Sequence, residues 1–252
     1  MDLLKDKKIV IMGVSNKWSI AWGCAQVMKS YGAQIIYTYQ NERIKDKLQK
    51  MIGEEGILIP CDVTKDEEIE AAFNHIKDEV GTIDGVIHSI AYAKQEDLYT
   101  SVVNTSREGY ALAQDISAYS LIAVTRCASE LMTNGGSIVT MSYIGSQKAV
   151  TNYNVMGMAK AALESSVRYL ASDLGSKDIR VNAISAGPIK TAAAKGIKDF
   201  STLIKSATEK TPLRRTVTKE EVGNVAAFLS SELSSGITGE IIYVDGGLNI
   251  VL

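Results

Sequence analysis

The chain has 252 residues, of which 46% are hydrophobic and 22% charged, values typical of one globular α/β domain. The formal net charge is −2, so no basic field favours nucleic acid, and no apolar run is long enough for a transmembrane helix. The cysteines Cys24, Cys61 and Cys127 lie far apart without a metal-ligand spacing, and no signal-peptide pattern opens the chain, so we expect a cytoplasmic protein without a metal.

Short apolar runs alternate with helical patterns along the whole chain. The runs predict strands at 8–12, 34–38, 57–59, 84–90, 137–141, 180–184 and 241–244. The patterns between them predict helices at 20–31, 41–52, 65–80, 105–133, 152–175 and 218–232. Continuously apolar strands alternating with helices predict an α/β fold, a single parallel sheet of about seven strands with helices on both faces.

The segment 191–212 interrupts this rhythm by placing a helical pattern between the sixth and seventh strands. Ligands of open α/β sheets bind beyond the carboxyl ends of the strands, so an insertion there is well placed to be a substrate lid. A surface segment without a role in substrate binding would have the same pattern. No linker or repeat divides the chain, and we expect one domain over residues 1–252.

A glycine turn follows the first strand. Gly13 ends the strand, and a helix is expected to begin near Ser19 and Ile20. Free amides at a helix start, together with the helix dipole, form a site for an anion such as a pyrophosphate. The stretch lacks the standard G-x-G-x-x-G pattern, and a tight turn with Ser19 as helix cap would explain the same residues.

The ends of the second and third strands carry polar residues suited to an adenosine moiety. A carboxylate after the second strand favours NAD and a nearby arginine accommodates the 2′-phosphate of NADP. Here Gln40 and Asn41 are neutral, which favours NADH, while Arg43 keeps NADPH possible. Asp62 after the third strand is an acceptor for the adenine amino group or, alternatively, a turn residue or helix cap.

Tyr153 and Lys160 are the most informative pair in the chain. They are separated by roughly two helical turns, so both side chains lie on one face of the predicted helix 152–175. An ammonium can hold ribose hydroxyls while a phenol meets charge developing on a substrate oxygen. The alternative is a half-buried tyrosine and a solvated lysine without a chemical role.

These features together resemble the short-chain dehydrogenase/reductase superfamily over essentially the whole chain. They are the glycine turn, Asp62-Val63, Ser89-Ile90-Ala91, the tyrosine–lysine helix and Gly187-Pro188-Ile189-Lys190-Thr191. Most members space tyrosine and lysine one turn apart, whereas here Met156 stands in the usual tyrosine position. The wider spacing, with Tyr143, is similar to the divergent branch that contains the bacterial enoyl-acyl-carrier-protein reductases of fatty acid synthesis.

The resemblance implies a doubly wound Rossmann fold, a homotetramer, NADH or NADPH as hydride donor, and acyl carrier protein as the partner that carries the enoyl substrate. Tyr143, Tyr153 and Lys160 are the implied catalytic residues. The implied cofactor residues are Gly13, Ser19, Ile20, Gln40, Asp62, Val63, Ile90, Lys160, Ile189, Lys190, Thr191, Ala192 and Ala193. The substrate residues are expected to be Ala93, Tyr143, Tyr153, Met156, Ile197 and Phe200, of which the apolar ones are equally compatible with plain core.

The displaced tyrosine suits conjugate reduction. When hydride adds to the β-carbon of an enoyl thioester, negative charge develops on the carbonyl oxygen. The β-carbon lies two bonds beyond the carbonyl carbon, so the donor to this oxygen must stand farther from the hydride than in a carbonyl reductase. A tyrosine one turn back provides that reach. The rival hypotheses are a carbonyl reductase of the superfamily, against which Met156 argues, and a non-catalytic nucleotide sensor, against which the retained Tyr153 argues. Lys195, Lys198 and Lys205 are either carrier-docking residues or a solvated face, and His75 and His88 are expected to be structural.

Overall fold

The sheet is parallel throughout the part of the chain that the computed structural model describes, residues 2–54, 56–189 and 200–251. Within it seven strands lie in the order β3-β2-β1-β4-β5-β6-β7. The strands are β1 Lys8–Met12, β2 Gln34–Tyr39, β3 Ile57–Pro60, β4 Gly85–His88, β5 Gly136–Ser142, β6 Ile179–Ala186 and β7 Ile241–Val244. This confirms the predicted doubly wound Rossmann-type sheet, whose strand order reverses between β1 and β4, where such folds bind ligands.

The helices cover both faces of the sheet. In the described ranges they are α1 Ile20–Ser30, α2 Glu42–Ile52, α3 Asp66–Val80, α4 Gln95–Tyr99, α5 Arg107–Gln114, α6 Ser120–Leu131, α7 Asn154–Leu174, α8 Phe200–Lys210, α9 Lys219–Leu229 and α10 Leu248–Val251. The short helices α4 and α10 have too few residues to show a helical period, and the sequence patterns did not predict them.

The predicted helical segment at 105–133 consists of two α-helices, α5 and α6, joined by a π-helical turn. A wider π-helical turn, Asp115–Tyr119, separates α5 from α6, and the helical structure ends at Leu131. At this turn the Ser120 hydroxyl donates to the Ile116 carbonyl at 2.7 Å. Hydroxyl groups that bond to the backbone of the preceding turn favour irregular helix geometry, and this bond lies next to the π-helical turn.

Successive side chains of the buried strands point to opposite faces of the sheet and pack into two separate apolar cores. Ile9 and Ile11 of β1 pack with α1, α2 and α9 on one face. Val10 and Met12 of the same strand pack with α3, α6 and α7 on the other. The period of two along a strand therefore explains why the parallel strands are apolar on both sides.

Helices α1 and α9 pack closely because small residues face each other. A Cβ on Gly23 would lie 2.6 Å from the carbonyl oxygen of Lys219, and a Cβ on Gly223 would lie 2.9 Å from the carbonyl oxygen of Gly23. Both clashes are with backbone, which cannot move without separating the helices. Because α1 begins beyond the carboxyl end of β1, this contact also fixes the position of the α1 N-terminus at that end of the sheet.

We expect Gly23→Ala to lower the free energy of unfolding by about 1–3 kcal/mol, because the added methyl overpacks the α1–α9 contact. Gly175→Ala is the matched control, since Gly175 has helical backbone angles and open space around its Cβ position. The control should be neutral or slightly stabilising. Urea unfolding of both variants measures the difference, and equal midpoints would contradict the close-packing explanation.

Candidate active site

A cleft of about 940 Å³ opens at the carboxyl ends of the strands. It brings together residues from six strand ends and from α7, which are distant in sequence. Of the predicted site residues, those lining the cleft are Gly13, Ser19, Ile20, Gln40, Asp62, Val63, Ile90, Ala93, Tyr143, Tyr153, Met156, Lys160 and Ile189. The predicted residues Lys190, Thr191, Ala192, Ala193 and Ile197 lie outside the described residues, as does the side chain of Phe200.

Gly13 has a backbone conformation and a packing environment that exclude a side chain. Its φ is +91°, and a Cβ would lie 2.0 Å from the carbonyl oxygen of Ser89. The ends of β1 and β4 can therefore approach each other only at a glycine. The chain then turns into α1, whose N-terminal residues Ser19 and Ile20 line the cleft.

Ser19 caps α1, which is the structural alternative that the sequence left open for this residue. Its Oγ accepts from the backbone N–H of Trp22 at 3.2 Å and donates to the carbonyl of Asn16 at 2.8 Å. The cap satisfies one free amide and leaves the positive end of the helix dipole at the cleft wall. A tight glycine approach followed by a helix N-terminus fits the pyrophosphate of a dinucleotide.

The end of the cleft formed by β2 and β3 is lined by the amide of Gln40, the carboxylate of Asp62 and the guanidinium of Arg43. Gln40 Nε2 lies 3.4 Å from Asp62 Oδ2, and Asp62 Oδ1 accepts from the backbone and hydroxyl of Thr64. Asp62 thus stabilises a turn and still borders the cleft. Asn41 caps α2 by accepting from Ile44 N–H at 3.2 Å, while the exposed Arg43 lines the cleft.

Tyr153 and Tyr143 form an aromatic pair in the cleft wall. Their ring centroids are 4.9 Å apart in an edge-to-face arrangement. Tyr153 occupies the N-cap position of α7 rather than a position within the helix. Burial raises the pKa of Tyr143 to about 12 and raises the pKa of Tyr153 further above its ordinary value, so both phenols keep their protons and can donate hydrogen bonds.

Lys160 is buried, with 5% of its surface exposed, so the alternative of a solvated lysine was wrong. Its Nζ donates to the carbonyl of Met141 at 2.7 Å, which ties α7 to the end of β5. Burial lowers the pKa of Lys160 to about 8, opposed by the nearby Glu164 carboxylate. An ammonium with this pKa is sensitive to its surroundings near neutral pH.

His88 is fully buried beneath Lys160 and is held by two hydroxyls. Its Nδ1 lies 3.0 Å from Thr140 Oγ1 and its Nε2 lies 2.9 Å from Ser120 Oγ. Burial and, second, the Lys160 charge lower the pKa of His88 to about 3. The imidazole is therefore neutral near pH 7 and serves as a structural bridge between β4, β5 and the start of α6.

Sequence reasoning missed one side of the cleft. Tyr92, Gln95 and Leu98 line it from α4 and the chain before that helix, and Ile116 lines it from the π-helical turn. Ser117 holds this side in place by accepting from Tyr92 N–H at 2.9 Å and donating to the Tyr92 carbonyl at 3.0 Å. The signal available was the apolar and aromatic content of residues 90–99, which lacks a period.

Two further observations concern only the described residues. Among them no group of three or more histidine, cysteine, aspartate or glutamate side chains is arranged to hold a metal ion. None of the helices in the same ranges combines the length and apolar character needed to cross a membrane.

Comparison with known proteins gives a consistent family. A family model described as enoyl-(acyl carrier protein) reductase matches residues 13–249. The chain is 55% identical to the enoyl-[acyl-carrier-protein] reductase [NADH] of Enterococcus faecalis, over 98% of this chain and 99% of that protein. It is 52% identical to the enoyl-[acyl-carrier-protein] reductase [NADPH] of Staphylococcus aureus strain MRSA252, over 98% of each chain.

Solved structures agree with this result. The Bacillus cereus enoyl-acyl carrier protein reductase, crystallised with NADP+ and indole naphthyridinone, superposes with a TM-score of 0.98 at 53% identity, covering 100% of both chains. The enoyl-[acyl-carrier-protein] reductase (NADH) of Aquifex aeolicus gives a TM-score of 0.94 at 45% identity, covering 98% of each chain.

Proposed function

The chain belongs to the enoyl-(acyl carrier protein) reductase family and is a nicotinamide-dependent enoyl reductase, and we propose that Tyr153, Lys160 and Tyr143 are the residues that carry its reaction. The reaction reduces the trans-2 double bond of an enoyl thioester in fatty acid synthesis. The observation that supports these roles is that Tyr153 and Lys160 line one cleft while Met156 occupies the position between them.

The cleft fits a nicotinamide dinucleotide. Gly13 and the N-terminus of α1 suit the pyrophosphate, the Gln40–Asp62 pair suits the adenosine, and Ile90 and Ile189 border the opposite end. When bound, the reduced nicotinamide supplies the hydride. Lys160 holds ribose hydroxyls with its remaining N–H groups, since one is already given to the Met141 carbonyl. The predicted cofactor residues 190–193 remain part of this proposal.

Tyr153 stabilises the oxygen on which negative charge develops. Reduction at the β-carbon turns the thioester carbonyl into an enolate, and a protonated phenol donates a hydrogen bond to that oxygen. Its raised pKa keeps the phenol protonated, as a donor must be. Tyr143 packs edge-on against the Tyr153 ring, which restricts the directions in which the Tyr153 hydroxyl can point.

The acyl chain is expected to pack against a small apolar cluster that includes the Tyr153 ring. We call this cluster, formed by Ala113, Val155, Met156 and Ala159 with Ala93, Leu98, Tyr153 and Met158 packed against it, the acyl cluster. It is separate from the two cores that hold the sheet. Ala93 and Met156 line both the cluster and the cleft, so an enoyl chain entering the cleft meets an apolar wall.

Assembly and partners form the outer part of the proposal. The substrate arrives on acyl carrier protein, and the segment 191–212 acts as its lid, with Ile197 and Phe200 as the substrate residues predicted within it. The protein is a cytoplasmic homotetramer built from one domain, residues 1–252. Lys205 is exposed on α8, where a lysine can meet an acidic carrier. Lys195 and Lys198 lie outside the described residues.

NADH is the proposed preferred donor because Gln40 and Asn41 are neutral and Asn41 is engaged in capping α2. We expect the purified protein to oxidise NADH faster than NADPH at 340 nm with crotonyl-coenzyme A, and to leave acetoacetyl-coenzyme A unreduced. Faster NADPH oxidation would assign the 2′-phosphate to Arg43. Oxidation on the ketone alone would make the protein a carbonyl reductase and exclude the proposed role of Tyr153.

Tyr153→Phe should lower kcat by about 10²–10³-fold, the range measured for removal of one oxyanion donor, while leaving the KM for NADH nearly unchanged. The matched control is Tyr169→Phe, a tyrosine on the same helix whose side chain is 72% exposed. Steady-state kinetics with crotonyl-coenzyme A compare the two variants. An unaltered kcat in Tyr153→Phe would contradict the donor role.

Cofactor affinity should depend on pH through Lys160. Its pKa is lowered by burial to about 8, and its charged form binds the ribose, so NADH affinity is full below that pH and falls as pH rises through it. Lys160→Met, which keeps the apolar stem, should bind NADH weakly and without this dependence. Lys177→Met, an exposed lysine, is the control. Fluorescence titration from pH 6 to 10 measures the dissociation constants, and a flat wild-type profile would exclude this role.

A further inference from the structure

Glu164 is a buried carboxylate on the same helix as Lys160, with 5% of its surface exposed. Carboxylates are rarely buried unless several donors satisfy them. Here the serine hydroxyls of Ser142 and Ser146 each donate to Glu164 Oε1 at 2.6 Å. Two short charge-assisted hydrogen bonds on one oxygen indicate a position shaped to hold an anion.

The two serines lie on either side of Tyr143. Ser142 is the last residue of β5 and immediately precedes Tyr143, while Ser146 ends the turn that follows it. The N–H of Ser146 also donates to the Tyr143 carbonyl at 3.0 Å. One carboxylate oxygen of α7 therefore holds the chain before and after Tyr143, and Tyr143 in turn packs against Tyr153.

The same carboxylate lies one helical turn from Lys160. Side chains four residues apart on a helix are neighbours, and a buried pair of opposite charges interacts more strongly than an exposed pair. Lys160 donates to the carbonyl of Met141, the residue that precedes Ser142. Lysine and glutamate thus bind adjacent residues at the end of β5, with Glu164 as the negative charge facing the ammonium.

We propose that Glu164 is a positioning residue for the reduction: its carboxylate fixes the chain around Tyr143, and thereby Tyr153, and it opposes the charge of Lys160. This inference rests on the proposed function for the roles of Tyr153 and Lys160. It assigns a task to a carboxylate that neither touches the cleft nor belongs to the apolar cores.

Other titratable groups around this pair do not account for the same effect. His88 faces Lys160 from β4, but its pKa of about 3 keeps it neutral above pH 6. Tyr143, Tyr153 and Tyr243 all have a raised pKa and keep their protons below pH 9. Asp245 follows β7 and faces Tyr143 and Tyr243, and its carboxylate is occupied by the backbone N–H groups of Gly247 and Asn249.

Two substitutions separate the effect of the Glu164 charge from the effect of its hydrogen bonds to Ser142 and Ser146. Glu164→Gln retains an oxygen that accepts from both serines but removes the charge. Without that charge the pKa of Lys160 falls, so the pH at which NADH affinity is half lost should move down by about one unit. Glu164→Asp retains the charge but is one methylene shorter, so the half-loss pH should stay and kcat should fall several-fold.

The measurements are NADH fluorescence titration across pH 6 to 10 and kcat with crotonyl-coenzyme A at pH 7. Thermal unfolding first establishes that each variant is folded. Glu164→Gln then tests the effect of the charge on Lys160, and Glu164→Asp tests the positioning of Tyr143. Glu232→Gln is the control for net charge, because Glu232 has an 86% exposed side chain. Its profile should superimpose on that of the unsubstituted protein.

If the pH profile of NADH affinity is the same in Glu164→Gln as in the unsubstituted protein, the charge of Glu164 does not act on Lys160. If kcat is unaltered in Glu164→Asp, the hydrogen bonds of Glu164 do not position Tyr143. Absence of enoyl reduction by the unsubstituted protein would instead contradict the proposed function. The NADH titration needs no enoyl substrate, so it decides the charge role of Glu164 separately.

Discussion

The buried ammonium of Lys160 is the strongest constraint on the structure of the cleft. A charge removed from water is stable only with well-placed partners. The Met141 carbonyl provides one, and Glu164 provides the opposite charge one turn along α7. The Met141 contact requires α7 to lie against the end of β5, so the hydrogen bond of one buried amino group helps to fix the position of this helix and of Tyr153 at its start.

In the proposed function, the position of Tyr153 accounts for the reduction of a carbon–carbon double bond. Tyr153 lies at the N-cap position of α7, and Met156, where superfamily carbonyl reductases carry their tyrosine, packs in the apolar acyl cluster. A donor moved away from the lysine suits an oxygen that is three bonds from the carbon receiving hydride, rather than one bond as in a carbonyl reductase. A thioether in its former place adds apolar surface for the acyl chain. A shift of one helical turn thus changes both the chemistry and the pocket.

Sequence patterns were sufficient for the sheet because parallel strands covered on both faces are largely apolar. Two strands, Lys8–Met12 and Ile241–Val244, were predicted to the residue. They did not predict the π-helical turn at Asp115–Tyr119, next to which the Ser120 hydroxyl contacts His88 of β4, a residue distant in sequence. Sequence patterns also do not show which charged side chains are buried. Lys160 and Glu164 read as polar residues, and only the three-dimensional packing brings Ser142 and Ser146 to the same carboxylate oxygen.

The separation of the acyl cluster from the two sheet cores has an evolutionary consequence. Ala93 and Leu98 line the cleft and pack in this cluster, and neither belongs to the cores that hold the sheet. Stability changes at sites that share no partners are nearly additive, so a substitution at either position leaves the contributions of the sheet cores unchanged. Under the proposed function, lineages can therefore change the length or branching of the accepted acyl chain through this wall while the residues proposed for the cofactor stay the same.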